Sequence, residues 1–173
     1  MKTRFIPLLA LVIASPAAAQ MQHGGDHMIA SIRPLYETIR GHLIRSAEQM
    51  PEANFSFKPV PEVRSYGQLL GHVANSAYFF CSLGSGEANP NQANFEQTTD
   101  KAGLVKAVSD AFTFCDRAYA INDAKAMEKV QVFNVERDRM HALVLNIGHL
   151  NEHYGNVVTY LRMKGLVPPS SQR

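Results

Sequence analysis

Apolar residues recur at steps of three and four over most of this chain. Between residues 28 and 50, Ile29, Ile32, Tyr36, Ile39, Leu43, Ala47 and Met50 form one stripe, the period of a helix that buries a single face. Pro34 falls near its start, where a missing N–H costs least if the helix begins a few residues later. Pro51, Pro59 and Pro61 make the next stretch an extended loop, with Phe55 and Phe57 expected to tuck under the helices. Ser65 followed by Gln68 is a capping box, which opens a second helix. That helix runs to about residue 83 and stops at Gly84-Ser85-Gly86. Tyr66, Leu69, Leu70, Val73, Ala77 and Phe80 share its apolar arc.

A Pro/Asn/Gln-rich connection over residues 84–99 leads to a third helix, capped by Thr99 or Asp100 and ended by Asn122 and Asp123. Its stripe is Leu104, Val108, Phe112, Cys115 and Tyr119. Residues 125–135, with Val130 and Val132 alternating, fit either an extended segment or a short helix. The fourth helix spans residues 136–164, with Gly165 and then Pro168 and Pro169 as its stop. One arc holds Met140, Leu143, Val144, Ile147, Leu150, Tyr154, Val158 and Leu161. A second holds Ala142, Leu145, His149, His153, Val157 and Tyr160. A helix covered on two sides is central to its bundle. The fold predicted is all-α, a four-helix bundle of the up-down type with long connecting loops.

Three histidines stand out on this frame. His149 and His153, four apart, project from the same side of the last helix. His72 sits on the second helix beside its apolar arc, with Gln68, Asn75, Ser76 and Phe79. Three imidazoles from two facing helices would bind one metal ion and leave coordination positions open. The spacing alone is equally that of solvated or core histidines, and it does not prove that His72 faces the pair. His149-Leu150-Asn151-Glu152-His153 also satisfies H-x-x-E-H, a metalloprotease signature with the Glu as general base. That class needs another ligating Glu downstream, and none of the residues after His153 is acidic. Glu152 is therefore read as a solvated surface group. His42, beside the first stripe, is either a hydrogen-bond donor that orients a metal ligand from behind or a helix-flank residue. Asn75 and Tyr160 share the histidine sectors and are candidates for orienting a substrate. His141 is read as solvated, and no catalytic residue is assigned.

The first nineteen residues carry a different signal. Lys2 and Arg4 precede a short apolar run, and Ala17-Ala18-Ala19 supplies a cleavage site, the pattern of a secretory signal peptide. The run is far short of the ~20 residues that span a bilayer. Residues 20–27, with His23 and His27, are expected to be a mobile terminus, and residues 28–173 one domain. The chain has 17 Lys+Arg and 15 Asp+Glu, and removing the signal leaves the two signs equal. With no basic run to track a phosphate backbone, nucleic acid is not an expected partner. Nor is stable membrane insertion expected. Export to the periplasm or beyond places Cys81 and Cys115 in an oxidising compartment. A disulfide between them and a pair of small buried hydrophobes both fit.

The stretches Phe55-Ser56-Phe57-Lys58-Pro59, Pro61-Glu62-Val63-Arg64-Ser65-Tyr66-Gly67-Gln68 and His72-Val73-Ala74-Asn75 resemble the DinB family. So do His149-Leu150-Asn151-Glu152-His153-Tyr154-Gly155-Asn156 and the ending from Tyr160 through Gly165 to Ser170. The resemblance covers essentially the whole of the chain beyond the signal. It implies a four-helix bundle in which His72, His149 and His153 hold one divalent transition metal. Imidazole ligands suit zinc and nickel, and also iron and copper. It implies a thiol-dependent transferase acting on a small molecule, and three neutral ligands, which leave the ion its full charge, suit a metal-dependent hydrolase equally. The alternative is a non-catalytic exported bundle that binds metal or a partner. Pairing of two copies through a helix face suits the architecture.

Overall fold

The computed structural model describes residues 27–172. The expected signal peptide and His23 lie outside them. Helix α1 (His27–Gln49) buries Ile29, Tyr36, Ile39 and Leu43. It starts earlier than the proline suggests, so His27 is its first residue and not part of a tail. Pro34 stands inside the helix. Its ring frees the carbonyl of Ala30, and both residues lie on an exposed face where water can take that carbonyl. The first turn of α1 has no acidic residue of its own. The backbone N–H groups of Met28 and Ile29 instead donate to the Asp123 carboxylate, 2.9 and 3.0 Å away.

Helix α2 (Tyr66–Ser85) opens on the expected capping box, with Ser65 and Gln68 exchanging both hydrogen bonds, and ends at Gly86 in the left-handed conformation. The preceding loop completes the start of the helix. Tyr66 N–H donates to Phe57 O and Gly67 N–H to Phe55 O, so the orphan donors of the first turn are met. Phe55 is buried beneath them and Phe57 is half-buried.

Helix α3 (Lys101–Ala118) is capped by Asp100. Asn122 and Asp123 do not end it. Asn122 caps a separate turn, α4 (Asp123–Ala126), and a hairpin follows. Strands β1 (Lys129–Val132) and β2 (Val135–Asp138) pair antiparallel, with Val132 opposite Val135. Residues 125–135 are thus the end of a short helix followed by a strand. The last helix, α5 (Arg139–Met163), begins three residues later than expected because 136–138 belong to β2, and Asp138 caps it. On α5, Val144 is exposed and the polar Asn146 is fully buried, which shifts the buried arc from the one read in the sequence.

The four long helices form a ring in which α2 and α3 pack on each other. Both α1 and α2 contact α3 and α5. Gly67 lies against Leu104, and Cys81 is disulfide-bonded to Cys115, so α2 and α3 run parallel. This departs from simple up-down alternation. The connection between them allows it, because some 15 extended residues reach about 50 Å and α2 itself is only about 30 Å long. The all-α bundle with long connections stands as expected. Among the described residues no helix is long and apolar enough to cross a membrane.

Candidate metal centre

Helix α5 runs antiparallel to α2 and sets His149 and His153 against His72. The Nε2 atoms of His72 and His149 lie 3.2 Å apart, and those of His149 and His153 lie 3.0 Å apart. One ligand nitrogen from each of the three lies within 4.8 Å of the others. Nitrogens bound at ~2.0–2.1 Å to one ion sit about 3.0–3.4 Å from each other, so the cluster is compatible with metal binding. Hydrogen bonding alone serves the arrangement poorly. A neutral Nε2 is either a donor or an acceptor, and His149 Nε2 faces two others at once.

Glu96 fixes the first of the three rings. Its Oε1 lies 2.7 Å from His72 Nδ1, and its Oε2 accepts from Arg64 Nε at 2.9 Å. An ionised carboxylate only accepts, so Nδ1 carries the proton and the lone pair of His72 Nε2 points at the cluster. Burial alone would raise the Glu96 carboxyl. The hydrogen bonds from Arg64 and His72 outweigh it and hold the group below its ordinary value.

Glu96 rides on a one-turn 3₁₀ helix (Phe95–Gln97), and α2 holds that turn in place through Gly71, just before His72, and Asn75, three residues after it. Asn75 Oδ1 accepts from Phe95 N and Asn91 Nδ2, and its Nδ2 donates to Asn94 Oδ1. Gly71 packs so closely under the turn that a Cβ would collide with the Phe95 carbonyl. Asn75 therefore acts through the loop that carries Glu96. Glu96 itself is not legible from sequence, because it sits in a polar connection with no periodicity. The Gly71-His72 pair and Asn75 were the available signals.

His149 and His153 are both lowered to about 4, first by burial and then by neighbouring imidazoles, with Arg64 adding to the effect. Both are neutral at physiological pH, the form that offers lone pairs. Their Nδ1 atoms are buried with no protein partner.

A cleft of about 620 Å³ reaches His153 and Glu96 and is lined also by Glu62, Arg64, Leu69, Glu152, Asn156 and Tyr160. Glu152 is exposed, as expected, but its exposure is to this cleft. The Tyr160 hydroxyl donates to the Arg64 carbonyl at 2.7 Å, which steadies the segment presenting the guanidinium. His42 lies elsewhere. Its partners are Arg45 and the ring of Tyr154, stacked at 5.0 Å, not the three imidazoles. His141 is exposed. Cys81 and Cys115 form a disulfide, and among the described residues no cysteine is free.

On the opposite side of the cluster the wall is aromatic. The Phe80 ring lies 5.6 Å from that of His149, and Phe79 and Phe133 complete a three-ring patch.

The sequence model of the DinB superfamily matches residues 35–157. A crystal structure of a DinB-like protein from Bacillus cereus superposes with a TM-score of 0.71 at 16% identity, covering 82% of this chain and 95% of that one. A DinB-like protein from Bacillus subtilis gives 0.63 at 23% identity, covering 83% and 99%. No curated protein matches the chain.

Proposed function

The chain belongs to the DinB superfamily, and on that premise we propose that it is an exported metalloenzyme, with His72, His149 and His153 as ligands of one divalent transition ion. The observation that carries this reading is the convergence of three imidazole nitrogens beside a cleft of substrate size, within the ~300–1,000 Å³ typical of small-molecule sites. Zinc or nickel suits the donor set best, with iron and copper as further candidates. Such an ion, when bound by three neutral ligands, keeps its full charge and polarises water, a thiol or a substrate carbonyl.

The protein's own groups have separate tasks. Glu96 holds the His72 tautomer, and Arg64 holds Glu96 while facing the cleft. Tyr160 fixes the Arg64 backbone. Asn75 and Gly71 seat the turn that bears Glu96. Of the two reaction classes, hydrolysis is favoured over transfer to a small thiol. The Cys81–Cys115 disulfide supports an oxidising compartment, where free thiols are scarce.

Metal analysis of protein purified without chelators or a His tag tests the site. About one equivalent is expected in the wild type, and none in a His149→Ala, His153→Ala double variant. No metal in either, with folding unchanged by zinc, nickel and iron, would leave a helical bundle whose histidines are structural. Hydrolytic screening of the loaded protein follows only from the first result.

A further inference from the structure

The cleft beside the imidazole cluster carries charge that the three histidines and their hydrogen-bond partners do not use. Of the three rings, His153 is the one that lines it. That side chain is only 7% exposed, and its Nδ1 has no protein partner. A molecule lying in the cleft therefore abuts the cluster through one ring. Around that ring stand four charged side chains, Glu62, Arg64, Glu96 and Glu152.

Two of the four cancel. Arg64 Nε donates to Glu96 Oε2 at 2.9 Å, and Glu96 Oε1 is taken by His72. Glu62 comes from the loop before α2 and Glu152 from α5, so the remaining pair reaches the cleft from different elements. Among the described residues neither makes a hydrogen bond or an ion pair. The Glu152 charge is felt at the cluster, where it opposes the lowering of His149. Glu62 and Glu152 thus leave the cleft with uncompensated negative charge. A cleft lined by one sign focuses its field into the space between the walls. Val63 and Leu69 add apolar surface to the same lining.

We infer that the substrate carries a protonated amine, which Glu62 and Glu152 bind while its reacting centre lies at the three histidines. An ammonium donates to both carboxylates, and the apolar lining suits an alkyl arm. The amine belongs on such an arm, because the ion at the reacting centre is itself positive. A substrate carboxylate would have only Arg64 to meet, the one cation among the described lining residues. That guanidinium is already paired, and an anion would face Glu62 and Glu152 unopposed. The inference rests on the metal-centre reading and names the substrate class of that site.

The test uses the purified protein loaded with cobalt(II), titrated with three hydroxamates while the visible spectrum is followed. The probes are 4-aminobutanohydroxamate, pentanohydroxamate and glutarate monohydroxamate. They share the metal-binding group and arm length, and end in an ammonium, a methyl and a carboxylate. Wild type is expected to bind the ammonium probe about fivefold more tightly than the methyl probe, and the carboxylate probe most weakly. The margin should shrink at high salt. In a Glu62→Gln, Glu152→Gln variant the ammonium and methyl probes should come near parity, with pentanohydroxamate affinity kept as the sign of an intact centre. Glu62→Gln alone, which lies off both ligand-bearing helices, should lose about half the margin. Cobalt uptake with equal binding of the three probes would overturn the charge assignment alone. So would tightest binding of the carboxylate probe, or an ammonium preference undiminished in both variants. Failure to take up cobalt would overturn the metal-centre reading and this inference with it.

Discussion

Helix α2 faces two neighbours and treats them differently. Toward α3 it presents Gly67, Ala77, Tyr78 and Cys81, which meet Leu104, Cys115 and Phe114 in a dry, parallel contact closed by a disulfide. Toward α5 it presents His72, Ser76 and Phe80, which meet His149 and His153 in an antiparallel contact. The second contact leaves two buried imidazole nitrogens without partners. An unmet buried polar group costs stability, and the apolar, cross-linked face offsets that cost. One helix thus carries the scaffold on one side and the chemistry on the other.

If the two faces are independent, changes to one should leave the other's readout alone. Replacing both Cys81 and Cys115 by Ser should cost the most stability, roughly 3–4 kcal/mol for a loop of this length. The thermal midpoint should fall by about 10 °C, and the metal content should be unchanged. Loss of metal on breaking the disulfide would show that the faces are coupled. Asn146, which contacts both Cys81 Sγ and the Tyr119 hydroxyl, is the route such coupling would take.

Glu96→Gln attacks the other face. It leaves the shape of the turn but weakens the hold on His72, and metal affinity should drop about 10- to 100-fold, read by competition with a chelator. The denaturant midpoint of the metal-free protein should move little.

Acid distinguishes the faces in a third way. His149 and His153 titrate near 4 in the folded protein, against about 6.5 in an unfolded chain. Between those values the unfolded state binds more protons, so stability of the metal-free protein rises with pH and is lost as pH falls from 6.5 toward 4. Urea midpoints measured across that window should show this slope, and the His149→Ala, His153→Ala variant should flatten it. An unchanged slope in the variant would move its origin elsewhere.

The smallest effect is expected at Gly155, on α5 with open space where a Cβ would stand. Gly155→Ala should stabilise the helix by up to about 1 kcal/mol. Gly71→Ala, with the Phe95 carbonyl in the way, should instead destabilise by about 1–3 kcal/mol.

Periodicity made the helices legible because each buries one stripe, and the Ser65–Gln68 box marked the start of α2 to the residue. The hairpin was harder. Val130 and Val132 alternate, but β2 carries Glu136, Arg137 and Asp138, which read as the first turn of a helix. The direction of α3 was not legible, since a long polar connection can run back along a helix or turn at its end. At the site, the i,i+4 pair was written in the sequence. The approach of His72 to His149, 77 residues away in the chain, depends on packing between two helices. Glu96 was silent because its role comes from where a connection folds back on α2, and no pattern of neighbours encodes that.

The Asp123 carboxylate that caps α1 adds a constraint on the order of assembly. A chain made from its amino terminus completes α1 long before Asp123 emerges, and it must close a loop of 95 residues to supply that cap. Closing so long a loop carries a large entropic cost. The first turn of α1 therefore gains this cap only once α4 is in place, although the helix is synthesised before it.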